Sequence, residues 1–124
     1  MSELLKEWQE RLFLHSWRIT LRPKCKPDEM QRGCWGSTEW VEVNKTARID
    51  IVDPECLTDK MIPFDFETVL VHELLHLKFC LLSNETDSMS DRYVHQMIDE
   101  MARAFVDAKR RRADGERGEH DERL

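Results

Sequence analysis

The sequence has 124 residues, of which 40% are hydrophobic and 35% are charged, and its formal net charge is −6. This length suits a single domain, and no apolar run approaches the roughly 20 residues that cross a bilayer, so we expect no transmembrane helix. The acidic charge argues against a broad nucleic-acid-binding surface, although a local basic patch is compatible with it. The N-terminus lacks a basic leader and an apolar signal core, and the four cysteines form no Cys-x-x-Cys pair, so we expect a cytoplasmic protein with reduced thiols.

The N-terminal part predicts a helix followed directly by a strand. Apolar residues recur at helical spacing over residues 3–15, and Ser2 is the candidate N-cap. From Trp17 to Leu21, apolar residues alternate with polar ones, which indicates a half-buried strand that ends before Pro23. We expect the helix to lie across the sheet to which this strand belongs.

A β-hairpin is predicted after a loop. Residues 23–33 combine prolines, a glycine and charges without periodicity, which is typical of an exposed loop. The hairpin arms are residues 35–43 and 47–53, joined by the turn sequence Asn-Lys-Thr. Ile49 and Ile51 alternate with polar residues in the second arm, so we expect both side chains to face the core.

The second half of the chain predicts two helices. Asp65 is the expected N-cap of the first, with Phe64 and Val69 placed as a hydrophobic staple, and this helix extends to about residue 82. The second helix covers about residues 90–110, and residues 111–124 have no apolar face, so we expect a mobile, charged tail. The predicted fold class is α+β, with a small three-stranded, mainly antiparallel sheet packed against helices.

The stretch VLVHELLHLKF, residues 69–79, is apolar except for His72, Glu73, His76 and Lys78. His72 and His76 are four residues apart, so they lie one turn apart on the same face and can bind one metal ion. Glu73 lies beside that face, where its carboxylate can reach a water molecule at the metal. A polar stripe made only for solubility would more naturally use Lys, Glu or Gln, which have higher helix propensity than His. The His-Glu-x-x-His pattern therefore predicts two zinc ligands and a general base for hydrolysis.

A third protein ligand would leave the fourth zinc position open to water. The candidates that follow the motif are Glu85, Asp87, Asp91, His95, Asp99 and Glu100. His95 lies on the apolar face of the last helix and is expected to point toward the central helix, so we predict it as the third ligand. Asp91, one turn earlier on the same face, is the second choice, although it is also suited to cap the helix or to orient an imidazole.

The order of elements and the motif resemble those of minimal zincin-like metallopeptidases, with an N-terminal helix, a small sheet, a central HELLH helix and a closing C-terminal helix. The closer resemblance is to phage metallopeptidases and SprT-like domains, through WRITL, GSTEWVEVNKTARIDI, FETVLVHELLHL and MARAFV. It covers residues 1–110, taken as a zincin-like domain, without the cysteine zinc ribbon of many SprT-like proteins. The ligand on the last helix is often glutamate in similar proteins, where this chain has His95. The resemblance also implies that residues 35–43 form an edge strand beside the cleft, to which a peptide could add as a further strand.

Together, these features predict a zinc-dependent metallopeptidase that acts on a protein or peptide substrate. Zn²⁺ held by His72, His76 and His95 would lower the pKa of a bound water molecule and polarise the scissile carbonyl. Glu73 would take the proton from that water and later deliver it to the leaving amine.

Other functions are compatible with the same sequence. In a non-catalytic, zinc-stabilised protein-binding module, protein would close the fourth metal position, and Cys80, one turn after His76, is placed either to do so or to pack in the core. The basic run from Lys109 to Arg112 either contacts nucleic acid or complements the helix dipole, and we favour the second explanation. Trp35 and Trp40 either line a substrate pocket or cover the sheet.

Overall fold

A computed structural model describes residues 2–29, 35–57, 63–79 and 88–122, which form an α+β structure. The helices are α1 (Ser2–Arg11), α2 (Phe66–Lys78) and α3 (Ser88–Glu122). The strands are β1 (Arg18–Cys25), β2 (Gly36–Val41) and β3 (Thr46–Val52), and two short 3₁₀ turns lie at Pro27–Glu29 and Pro54–Cys56. The predicted α+β class is therefore confirmed. No helix in these ranges is both long enough and apolar enough to cross a membrane.

The sheet is mixed, with the strand order β1-β3-β2. β2 and β3 form the predicted antiparallel hairpin, in which Thr38 lies opposite Ile49. β1 pairs with the other side of β3 in parallel, and Leu21 lies opposite the same Ile49. The prediction of a mainly antiparallel sheet is wrong for the β1 pairing, because β2 lies at the far edge and β3 is inserted between it and β1.

The structure ends α2 at Lys78 rather than near residue 82. The ends of α1 and β1 also differ from the predictions, for local reasons. α1 ends at Arg11 rather than near residue 15, because Phe13 has a left-handed backbone conformation (φ 58°) that a right-handed helix cannot contain. β1 continues through Pro23 to Cys25, and its register with β3 shifts between Arg22 and Cys25. Proline has no N–H to donate to the ladder, so the strand passes it with an irregularity instead of ending there.

A hydrophobic core lies between the sheet and the helices. Ile49 and Ile51 of β3 are fully buried, as predicted. They belong to the same cluster as Trp8 of α1, Leu74 of α2 and Ile98 of α3. This core holds α2 against the sheet, and α3 packs against α2 in turn. The two helices that carry the predicted metal ligands are therefore neighbours.

Ion pairs attach the C-terminal half of α3 to α1 and α2. Lys109 Nζ donates to Glu67 Oε2, and the same oxygen accepts a hydrogen bond from Trp8 Nε1 at 2.7 Å. Arg110 donates two hydrogen bonds to the Asp65 carboxylate, at 2.5 and 2.9 Å. Two cations of the basic run therefore stabilise contacts between helices. These ion pairs account for Lys109 and Arg110 without nucleic-acid binding or the helix dipole.

α3 continues to Glu122, beyond the predicted end near residue 110. The prediction rests on the loss of an apolar face, whereas the residues after 110 include strong helix formers such as Arg, Ala and Glu. Arg111 also forms an ion pair with Asp107 one turn earlier, with 3.0 Å between Nε and Oδ2. The predicted helix end is thus wrong, and the mobility of residues 111–124 stays a prediction.

Candidate metal centre

Helix α2 begins at the predicted cap and presents its two histidines on one side. The Asp65 side chain accepts a hydrogen bond from the Glu67 backbone N–H at 3.1 Å, which satisfies one of the unpaired donors in the first turn. Most residues of the helix are buried, whereas His72 and His76 are partly exposed. This agrees with the predicted buried helix that carries a polar face.

The three predicted metal ligands come together where α2 meets α3. The ring centroids of His72 and His76 are 5.0 Å apart, and the ring of His95 lies 5.1 Å from the first and 5.0 Å from the second. One nitrogen of each ring lies within 4.8 Å of the other two. In the described part of the chain, no fourth His, Cys, Asp or Glu donor joins this group. Three protein donors is the number typical of catalytic zinc sites, which keep one position for water.

The other candidate ligands either stay apart from this group or lie outside the described residues. Asp91 belongs to α3, one turn before His95, but its side chain is outside the described part of the structure. Glu85, Asp87 and Cys80 are also outside it. Glu100 is exposed on α3 and is paired with Gln96 on the same helix, with 3.5 Å between the amide nitrogen and the carboxylate.

The surroundings of His72 and His76 favour neutral imidazoles. Burial, together with repulsion from His72 and His95, lowers the pKa of His76 to about 4. Burial is also the main cause that lowers the pKa of His72, although the Asp99 carboxylate opposes this shift. A neutral imidazole has a lone pair available for a metal ion, so His72 and His76 need not lose a proton to bind one at neutral pH.

Asp99 on α3 lies between His72 of the cluster and Arg103. Its Oδ1 lies 3.5 Å from Nδ1 of His72, and its Oδ2 lies 2.9 Å from a guanidinium nitrogen of Arg103, one turn further along α3. A carboxylate beside Nδ1 keeps the imidazole proton on that nitrogen and leaves Nε2 for a metal ion. In the sequence Asp99 is a candidate ligand, whereas in the structure it is placed to orient one.

The Glu73 side chain is buried beside strand β2, with 6% of the residue exposed. Its Oε1 accepts a hydrogen bond from Thr38 Oγ1 at 2.6 Å. Burial raises the pKa of Glu73 to about 7, and the hydrogen bond from Thr38 opposes that shift. A carboxylate whose pKa lies near neutrality can both accept and release a proton at that pH, which suits a general base.

A cleft of about 830 Å³ brings these groups together. Its helical wall carries His72, Glu73, His76, His95, Asp99 and Arg103, and its other wall includes Trp35, Gly36, Ser37, Thr38 and Trp40. The two tryptophans thus line a pocket. β2 is an outer strand of the described sheet, as predicted for residues 35–43, and it borders the cleft that contains the histidine cluster.

Two residues of this site, Gly36 and Thr38, were not identified from the sequence. Thr38 donates a hydrogen bond to Glu73, and Gly36 leaves space that the Glu73 side chain needs. Glu73 is more than 30 residues away along the chain, so no local pattern reports either relation. The only signals were a glycine inside a predicted strand, which often marks a close approach, and the alternation that puts Gly36 and Thr38 on the same face.

Comparison with known proteins indicates no family for this chain. No family model matches the sequence, and neither the curated proteins nor the solved structures include a significant match. The zincin-like resemblance thus stays a prediction from sequence motifs.

Proposed function

We propose that this protein is a zinc-dependent metallopeptidase. The observation that carries the proposal is the convergence of three imidazoles and one buried carboxylate, Glu73, on the wall of a single cleft. Burying a carboxylate is costly unless it has a specific role or partner. A polar stripe that serves only solubility would not explain why Glu73 is buried.

The donor set suits zinc. Zn–N bonds of about 2.0–2.1 Å place tetrahedral nitrogens roughly 3.4 Å apart. Nitrogens that already lie within 4.8 Å of one another need only small side-chain rotations to reach that geometry. Zinc binds borderline-soft nitrogen ligands of this kind well, whereas magnesium and calcium favour oxygen ligands.

Each residue of the site has a definite role in the proposed reaction. His72, His76 and His95 would hold the ion, and Asp99 would keep the first of these rings in the right orientation. The ion would supply Lewis-acid activation of water and of the peptide carbonyl. Glu73 accepts the proton that water loses as its oxygen bonds to the carbonyl carbon. The same carboxyl then gives that proton to the amine nitrogen as the C–N bond breaks, so a peptide and water become a carboxylate and an amine.

The alternative is a non-catalytic zinc-stabilised binding module, in which protein would supply a fourth ligand. The open cleft beside the cluster favours the enzyme, because a closed structural site needs no cavity at its metal. Within the described residues the group has three donors, and Cys80, which the sequence places either as a fourth ligand or in the core, lies outside them.

A mixture of peptides incubated with the zinc-loaded protein tests this proposal. We expect the wild type to cleave a subset of them, and Glu73→Gln to keep its zinc while losing at least about 100-fold in rate, as is typical when a general base is removed. Asp107→Asn, on the exposed part of α3, is the matched control and should cleave at the wild-type rate. Cleavage by Glu73→Gln at the wild-type rate, or no cleavage by a zinc-containing wild type, would overturn the proposal.

A further inference from the structure

Strand β2 presents alternate residues to helix α2. Gly36, Thr38 and Trp40 lie opposite buried residues of β3, so their side-chain positions share the face of the sheet that packs against the helices. All three residues line the cleft, and Gly36 and Thr38 also lie against the side chain of Glu73. The same strand that borders the cleft therefore also contacts the predicted general base.

Gly36 leaves the space that the Glu73 side chain occupies. A Cβ atom at position 36 would lie 2.9 Å from Glu73 Oε2 and 3.0 Å from Glu73 Cγ. It would also lie 3.0 Å from Cγ1 of Val69, one turn earlier on the helix. All of these distances are shorter than ordinary van der Waals contacts, which begin at 3.4 Å. The carboxylate is therefore packed directly against the backbone of β2.

Thr38 holds the other carboxylate oxygen. Its hydroxyl donates to Glu73 Oε1 at 2.6 Å, and within the described residues no other hydrogen bond reaches this carboxylate. The same Oγ1 lies 3.4 Å from the backbone oxygen of Glu73, so the threonine contacts both ends of the residue. A single donor from the strand, together with the packing at Gly36, thus fixes the orientation of the Glu73 carboxylate.

We infer that Thr38 is a positioning residue for Glu73, with Gly36 providing the room for it. Because Oε1 is bound to the Thr38 hydroxyl, Oε2 is the oxygen left to exchange a proton. In the proposed hydrolysis, Oε2 receives the proton from the attacking water and returns it to the leaving nitrogen. The catalytic part of this inference rests on the proposed metallopeptidase function, whereas the contact itself does not.

Two substitutions distinguish the hydrogen bond that Thr38 donates from the space that its side chain fills. Thr38→Val keeps the branched side chain and removes the donor, whereas Thr38→Ser keeps the donor and removes the methyl group. Thr20→Val is the matched control, because Thr20 is exposed on the opposite face of the same sheet. With zinc bound, we expect Thr38→Val to lower kcat about 10–100-fold at unchanged KM on a peptide that the wild type cleaves. Thr38→Ser and Thr20→Val should keep kcat within about threefold of the wild type.

A double-mutant cycle tests the contact without any activity. The wild type, Thr38→Val, Glu73→Met and the double variant are unfolded in urea at pH 8 after removal of metal, since methionine keeps the length of glutamate without its acceptor. We expect a coupling of roughly tenfold in the unfolding equilibrium constant, as a hydrogen bond between the two side chains implies.

The two readouts distinguish the possible failures. Additive stabilities in the cycle would overturn the inference even in an active enzyme, and so would a Thr38→Val kcat equal to that of the wild type. Coupling in a protein that cleaves no peptide would support the contact and overturn the proposed function instead.

Discussion

Replacing Glu67 by glutamine perturbs the junction at which the three helices meet. The Glu67 side chain is only 12% exposed, and its Oε2 accepts hydrogen bonds from Trp8 of α1 and Lys109 of α3. Arg110 of α3 lies 3.3 Å from Oε1. Glutamine has nearly the same shape without the charge, so Glu67→Gln keeps the packing and loses the charge-assisted part of these bonds.

The expected loss of stability is about 2 kcal/mol. A hydrogen bond to a charged group contributes roughly 1.5–3 kcal/mol, against about 1 kcal/mol for a neutral one, and Glu67 accepts at least two in a mostly buried place. Lys109 keeps a second partner, because Glu7 Oε2 lies 2.6 Å from its Nζ, and this limits the loss. In urea unfolding we expect Glu67→Gln to be about 2 kcal/mol less stable than the wild type, and Glu10→Gln, at an exposed glutamate of α1, to differ by less than about 0.5 kcal/mol.

The same comparison has a predictable pH dependence. Burial acts to raise the pKa of Glu67, but the hydrogen bonds from Lys109 and Trp8 outweigh it, and the net pKa is below the ordinary value of 4.5. Because the pKa is lower in the folded state, the carboxylate stabilises the fold above the unfolded-state pKa, and this contribution is lost as the pH falls through the folded-state pKa. The difference between the wild type and Glu67→Gln should therefore be complete at pH 7 and shrink below about pH 4.5. Equal stability of Glu67→Gln and Glu10→Gln at pH 7, or a difference that is unchanged near pH 3, would refute this reasoning.

Other predictions concern the site and the charged helix. Gly36→Ala should lower the free energy of unfolding in urea by about 1–3 kcal/mol, because its Cβ would lie 2.9 Å from a carboxylate oxygen, whereas Ser37→Ala beside it should change stability by less than about 0.5 kcal/mol. Asp99→Asn should weaken zinc binding about 10–100-fold in a chelator competition, because its carboxylate orients a ligand imidazole, and unchanged affinity would contradict that role. The protein should not bind duplex DNA in fluorescence anisotropy, because two cations of the basic run are paired internally. Salt-dependent binding that is lost on removing residues 111–124 would contradict this expectation.

The parts of the site that lie within single helices could be predicted from the sequence. The spacing of His72 and His76 and the side of α3 that carries His95 follow from the 3.6-residue period of a helix, which determines the residues that share a face. The cap at Asp65 follows from the preference for Asp before the first residue of a helix. The structure adds that the faces of α2 and α3 are turned toward each other. The sequence could only suggest this contact from the apolar character of both faces.

The remaining features depend on contacts between distant segments. Thr38 and Glu73 are 35 residues apart and Trp8 and Glu67 are 59 residues apart, so no local pattern reports either hydrogen bond. The parallel pairing of β1 with β3 could not be predicted for a similar reason. Alternation in a strand reports which face is buried but does not identify the neighbouring strand.

The zinc content of the purified protein tests the central claim most directly. Elemental analysis is applied to the wild type, Glu73→Gln, His72→Ala and His95→Ala, prepared without chelator, with thermal stability recorded for each. We predict one zinc ion per chain in the wild type and in Glu73→Gln, and weakened zinc binding in both histidine variants, because each removes one of the three donors found among the described residues. A metal-free wild type that is as stable as the histidine variants would contradict the metal centre and, with it, the proposed hydrolysis.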